Sequence, residues 1–220
     1  VAEEFSDNSL ISFVAWNLSL VYTWKGDLAR AVEYGELSFH KAPTLGDKAW
    51  AQRSLGWALC RSGETTSGIE LLTTVLPIFR AGRFNTSEIA LMCFLGEGYW
   101  LAGEDDKARQ TLEKGLEMAE RYGVRYYAGF AQRLLGEMDL KTNPAQAEIH
   151  FERSIAVLQE IKAENELALA YVSYGCLHKQ QNQIVQAKEY LMKALKIFER
   201  LGTLLEPNKV REILAELPEA

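Results

Sequence analysis

Proline is scarce in this sequence, with five in 220 residues, and consecutive β-branched residues are few. Strong helix formers run throughout, so the chain reads as all-α rather than as a mixed or sheet fold. The three cysteines, Cys60, Cys93 and Cys176, are odd in number and far apart. They exclude both a disulfide framework and a paired-cysteine metal site, and they point to a reducing cytoplasm. No apolar run reaches the length of a membrane span, about 18 residues, and the acidic start Val1-Ala2-Glu3-Glu4 lacks the basic segment of a signal peptide. A basic excess is missing as well: the net charge is −6. A nucleic-acid surface, which gathers Lys and Arg into a stripe, is therefore not expected. The start at Val1 instead of Met points to a piece of a longer protein.

What the chain has in quantity is amphipathic helix, interrupted at regular intervals by turn residues. With 48% hydrophobic residues there is ample material for a core. The clearest stretch is Leu95 to Leu116, where two helices meet at Ala102-Gly103-Glu104-Asp105. Turns or caps are also expected at Lys25-Gly26-Asp27, Thr44-Leu45-Gly46-Asp47, Ser62-Gly63, Gly123, Thr142-Asn143-Pro144 and Gly202. These boundaries give five helix pairs, about 6–43, 44–83, 85–123, 124–162 and 164–202, then a last helix at 207–217. Ser6, Asp7 and Asn8 are the capping residues expected ahead of the first helix. Pro77 is expected to kink or shorten the helix that ends at Ala81-Gly82.

The pairs repeat one another. Ser19, Gly56, Gly96, Gly136 and Gly175 occupy one place in successive first helices, spaced by 37, 40, 40 and 39 residues. A large residue precedes each: Leu18, Leu55, Leu95, Leu135 and Tyr174. In the second helices Ala31, Gly68, Ala108, Ala147 and Ala187 recur, with Leu72, Leu112, Phe151 and Leu191 four residues after the last four. Small residues let helix axes approach and large ones fill the gaps, so this is a packing code.

The code resembles that of the tetratricopeptide repeat family: a large-small pair in helix one, then Ala and a large residue in helix two. Ser19, Gly68 and Gly35 depart from it, and the period near 40 exceeds the standard of about 34. Long-period arrays of this kind are similar to the helical tails of bacterial ATPase-linked nucleotide cyclases and LuxR-type activators. The resemblance implies a right-handed α-solenoid, one domain over 1–220, with first helices lining a concave surface. It also implies a non-enzymatic interaction scaffold or regulatory arm, with no cofactor, no metal, no nucleic-acid contact and no membrane contact. The partner would be a protein or peptide, or another domain of the same polypeptide. A small effector regulating an attached ATPase, cyclase or DNA-binding module is the alternative. An array also exposes apolar faces at its ends, which offers a route to homo-oligomers.

Catalytic signals are weak. His40, His150 and His178 fall in different repeats with no metal-ligand spacing, and the glycines around Gly96 follow no strand. The tryptophans say more. Trp16, Trp24, Trp50, Trp57 and Trp100 all lie in first helices. Phe13, Trp16, Leu20 and Trp24 form one helical stripe, and Trp50, Arg53, Trp57 and Arg61 another, each expected to lie off the packing face. Together with Glu97, Trp100, Arg133 and Glu137 these residues are expected to line the groove, since interleaved Trp and Arg are typical of binding hot spots. Truncating Trp57 is then expected to cost about 2 kcal/mol of binding with the fold intact. The carboxylate clamp of chaperone-binding repeats is not expected, because Trp16, Leu20, Ser54, Ala90 and Phe94 stand where its polar residues would be.

Overall fold

The structure, a computed structural model, describes residues 7–218. Ser6, expected among the first capping residues, lies outside them. Eleven α-helices and no strands are present among the described residues: α1 (Asn8–Lys25), α2 (Leu28–Lys41), α3 (Leu45–Ser62), α4 (Thr65–Ala81), α5 (Asn85–Leu101), α6 (Asp105–Tyr122), α7 (Arg125–Asp139), α8 (Pro144–Glu160), α9 (Glu164–Gln180), α10 (Ile184–Leu201) and α11 (Glu206–Ala215). They form two compact units, 1–111 and 112–220. The boundary falls inside α6.

Local chemistry sets the ends of the helices. Asp7, Asp27, Thr44 and Asn143 each accept a bond from a backbone N–H three residues on, at 3.0, 3.3, 3.1 and 3.3 Å. Gly26, Gly63, Gly123 and Gly202 stop α1, α3, α6 and α10 with positive φ. The helix containing Pro77 is not shortened by it: α4 continues one turn further to Ala81. Gly82 is right-handed there, and the left-handed turn falls on Arg83 at φ 56°.

In the first unit α1 packs on α2 and α3, α3 on α2, α4 and α5, and α4 on α5. First helices thus lie side by side, each backed by a second helix. Ser19 fills its small position usefully, because its buried hydroxyl donates to the Ala31 carbonyl at 2.8 Å and ties α1 to α2. Ser12 and Ser38 add reciprocal bonds to each other's carbonyls at 3.0 and 2.9 Å. Gly35 is explained by α3: a Cβ on it would stand 3.0 Å from the Leu55 Cα. Gly68 lets α4 reach α3, since a Cβ there would meet the Gly56 carbonyl oxygen at 2.5 Å.

The second unit repeats the scheme, with α7 on α8 and α9, α8 on α9, α9 on α10, and α11 covering α10. Gly136 faces Phe151 and Gly175 faces Leu191, as the packing code requires. Its terminal core joins Ala168, Leu191, Ala194 and Phe198 to Val210 and Leu217.

Candidate interaction surface

The aromatic residues of the first unit gather into two groups at opposite ends of α1, α3 and α5. At one end the rings form a row. Phe13 meets Trp16 edge-on at 5.5 Å, Trp16 stacks on Trp50 at 5.3 Å, and Trp50 meets Phe84 at 6.2 Å. Phe79 supports the row from α4, 4.8 Å from Trp50. Arg53 lies against it, its guanidinium carbon 5.3 Å from the Trp16 ring and 4.7 Å from the Trp50 ring. Phe13 and Phe84 are 56% and 52% exposed, and Trp16 and Trp50 are half-buried. Arg53 is buried, so its planar cation is held in place between rings rather than waving in solvent.

At the other end Trp24 touches Trp57 edge-on at 5.7 Å, and Trp57 stacks on Phe94 at 4.2 Å. The indole N–H of Trp57 donates to Glu97 at 2.6 Å, and Arg61 lies over the Trp57 ring at 5.8 Å. The side chain of Trp57 is entirely buried, which corrects the expectation that it projects into a groove. α3 is flanked by both α1 and α5, so the stripe expected to lie off the packing face is the face that packs on neighbouring first helices. Leu20 and Glu97 are buried for the same reason. Trp24, Arg61 and Trp100 keep partial exposure.

Arg133 and Glu137 belong to the second unit. Arg133 is buried and bonded to Glu166 at 2.5 Å and to Glu137 at 2.8 Å. Glu137 also accepts from the Ser173 hydroxyl at 2.5 Å. The expectation that Arg133 faces a ligand is corrected accordingly: it pins α7 to α9 through a buried ion pair. Glu137 retains partial exposure. Phe79 and Phe84 were not legible as members of the row. Phe84 had one signal, a large apolar side chain in the polar turn Gly82-Arg83-Phe84-Asn85.

The nucleophile inventory is unpromising for chemistry. Cys60 is buried, and that burial, reinforced by the Glu97 carboxylate, pushes its thiol up to about 12. Burial also raises Cys176, and Tyr174 is raised by burial and then by Glu148 and Glu152. All three are held in their protonated, weakly nucleophilic forms. Among the described residues no three His, Cys, Asp or Glu side chains are grouped so as to hold a metal ion, and no helix is long and apolar enough to cross a membrane. His150 bonds Gln132 at 2.6 Å and Gln146 at 3.2 Å, bridging α7 and α8.

Stacked helix pairs with small residues at the crossings, and first helices packed side by side, are the geometry against which known proteins can be compared. The tetratricopeptide repeat model matches residues 168–200, which hold most of α9 and α10. Solved structures that share the fold include the following three. Aspartyl phosphate phosphatase F from Bacillus subtilis aligns with a TM-score of 0.68 at 15% identity, over 94% of this chain and 57% of its own. BtubC (BKLC) from P. vanneervenii aligns at 0.63 and 18% identity, over 87% and 80%. A putative kinesin light chain from Podosopora anserina with nearly identical TPR-like repeats aligns at 0.56 and 18% identity, over 88% and 97%. The fold is a tetratricopeptide-like helical repeat. The chain spans a little over half the length of the phosphatase, and no curated protein matches its sequence. Within a tetratricopeptide-like array, Gly56, Gly136 and Gly175 are crossing residues, and the tryptophan row is an addition that the repeat does not need.

Proposed function

We propose that this domain is a non-enzymatic protein-interaction module, and that the row Phe13–Trp16–Trp50–Phe84, with Arg53 against it, is its recognition surface. The row itself carries the reading. Four aromatic rings in contact, open at both ends and backed by a buried arginine, offer a rigid surface at low entropic cost to an extended or helical segment bearing apolar side chains. Protein or peptide partners also suit the fold, and three free thiols, two of them buried, suit the cytoplasm. The small-effector alternative is weakened, because a pocket walled by Trp50, Trp57 and Trp100 would need Trp57 open, and it is sealed under its neighbours.

A phage-displayed random peptide library panned against the wild-type chain tests the proposal, with the Phe13→Ala/Phe84→Ala variant as counter-target. Enriched peptides should carry apolar anchors and lose about tenfold or more in affinity for the variant. Peptides that bind both proteins equally would remove the row from the recognition surface.

A further inference from the structure

A cavity of about 310 Å³ lies in the second unit, lined by the end of α6, by α7 and by α8. Ligand sites span about 300–1,000 Å³, so this one has room for a small molecule. The next repeat shows what the same place can hold instead. Counted from the pairs Ala108–Ala147 and Gly136–Gly175, the positions of Ala119, Ala128 and Gln132 correspond to Leu158, Leu167 and Tyr171. Those three side chains belong to one apolar cluster, and Lys193 lies over the Tyr171 ring at 5.9 Å. Two alanines in place of two leucines leave the earlier place open.

Two polar groups at this cavity lack partners. Gln132 is 4% exposed, and its side-chain carbonyl oxygen accepts from the His150 Nδ1–H at 2.6 Å. The His150 Nε2 accepts in turn from the Gln146 amide at 3.2 Å, so this relay fixes which way the Gln132 amide faces. The Gln132 amide nitrogen itself makes no hydrogen bond among the described residues, and a buried donor without an acceptor costs stability. Arg153, exposed on α8, forms no ion pair among them either. Arg125, also at the cavity, differs in being held by Glu160 at 2.6 Å.

We propose that the cavity binds a small organic molecule with one carboxylate and one uncharged carbonyl, the chemistry of an N-acylated amino acid. The carboxylate pairs with Arg153, the carbonyl accepts from the Gln132 amide, and an aliphatic body covers Ala119, Ala128 and Val157. Glu120 lines the same cavity and repels a second negative charge, so dicarboxylates and phosphate esters are disfavoured. The site does not rest on the aromatic row, which belongs to the first unit.

Titrating the whole chain with N-acetyl-L-leucine, followed by amide chemical shifts in NMR, tests this. The Gln132 side-chain amide and the backbone amides of Ala128 and Val157 should shift with a Kd of roughly 1 mM, as suits so small a molecule. N-acetyl-L-leucinamide, which lacks the charge, and N-acetyl-L-glutamate, which carries two, should each bind about tenfold more weakly. Arg153→Gln should weaken the acid about fivefold and leave the amide unchanged, whereas Lys196→Gln, at an exposed position on α10, should bind like the wild type. Ala128→Leu, which installs the side chain found at Leu167, should abolish binding. A wild type without shifts up to about 20 mM overturns the proposal, as do equal affinities for acid and amide or an Arg153→Gln variant that binds the acid unchanged. Far-UV circular dichroism checks that Ala128→Leu folds. If it does not, Arg153→Gln decides alone, since an exposed side chain without partners can be replaced with little effect on stability.

Discussion

Trp57 shows how one residue changes meaning between sequence and structure. Its indole is stacked on Phe94 and bonded to Glu97 with no exposed surface, so it belongs to the core of the first unit. Trp57→Ala should destabilise the fold by about 3–5 kcal/mol, measured by urea unfolding followed by circular dichroism. A loss below about 1 kcal/mol would contradict the assignment, since a fully buried ring leaves a cavity that its neighbours only partly fill. Phe84 moved the other way. Nothing in the helix periodicity placed it beside Trp50, because it lies in a turn where no periodicity applies.

Among the elements, the α3–α4 crossing is the most exacting. In an open helix Gly→Ala gains about 1 kcal/mol from helix propensity. At Gly68 the new methyl would meet the Gly56 carbonyl oxygen and the Cys60 sulfur at 2.5 Å each, so the two helices would have to separate. Overpacking of this kind costs about 1–3 kcal/mol and outweighs the propensity gain. Gly68→Ala should therefore lower the urea midpoint; a raised midpoint would show that the crossing has slack. The departures from the repeat code at Ser19, Gly35 and Gly68 were visible in the sequence as irregularities. Their reasons were not, because each depends on a partner in another helix: the Ala31 carbonyl, the Leu55 backbone and the Gly56 carbonyl. Element boundaries were easier, since capping side chains and positive-φ glycines act within a few residues of themselves.

Within each of the two units, the repeat makes stability a matter of neighbours, with one helix pair completing its core against the next. α11 ends the second unit by placing Val210 and Leu217 on the core that holds Leu191 and Phe198. Removing residues 203–220 should expose that core, lower the thermal midpoint by several degrees and promote aggregation. Differential scanning calorimetry with light scattering measures both. A truncated chain that melts like the parent and stays dispersed would show that α11 is dispensable.

The sequence by itself determined the all-helical class, the five pairs, their turns and the small-large code, because these follow from local propensity and from a spacing repeated five times. It also brought the first-helix tryptophans to notice. Only the tertiary structure decided which of them are open. Trp16 and Trp57 look alike on a helical wheel, yet burial depends on which neighbouring helix lies over each face. Trp57 is covered on both sides by residues far away in sequence, while the row from Phe13 to Phe84 meets solvent at its ends.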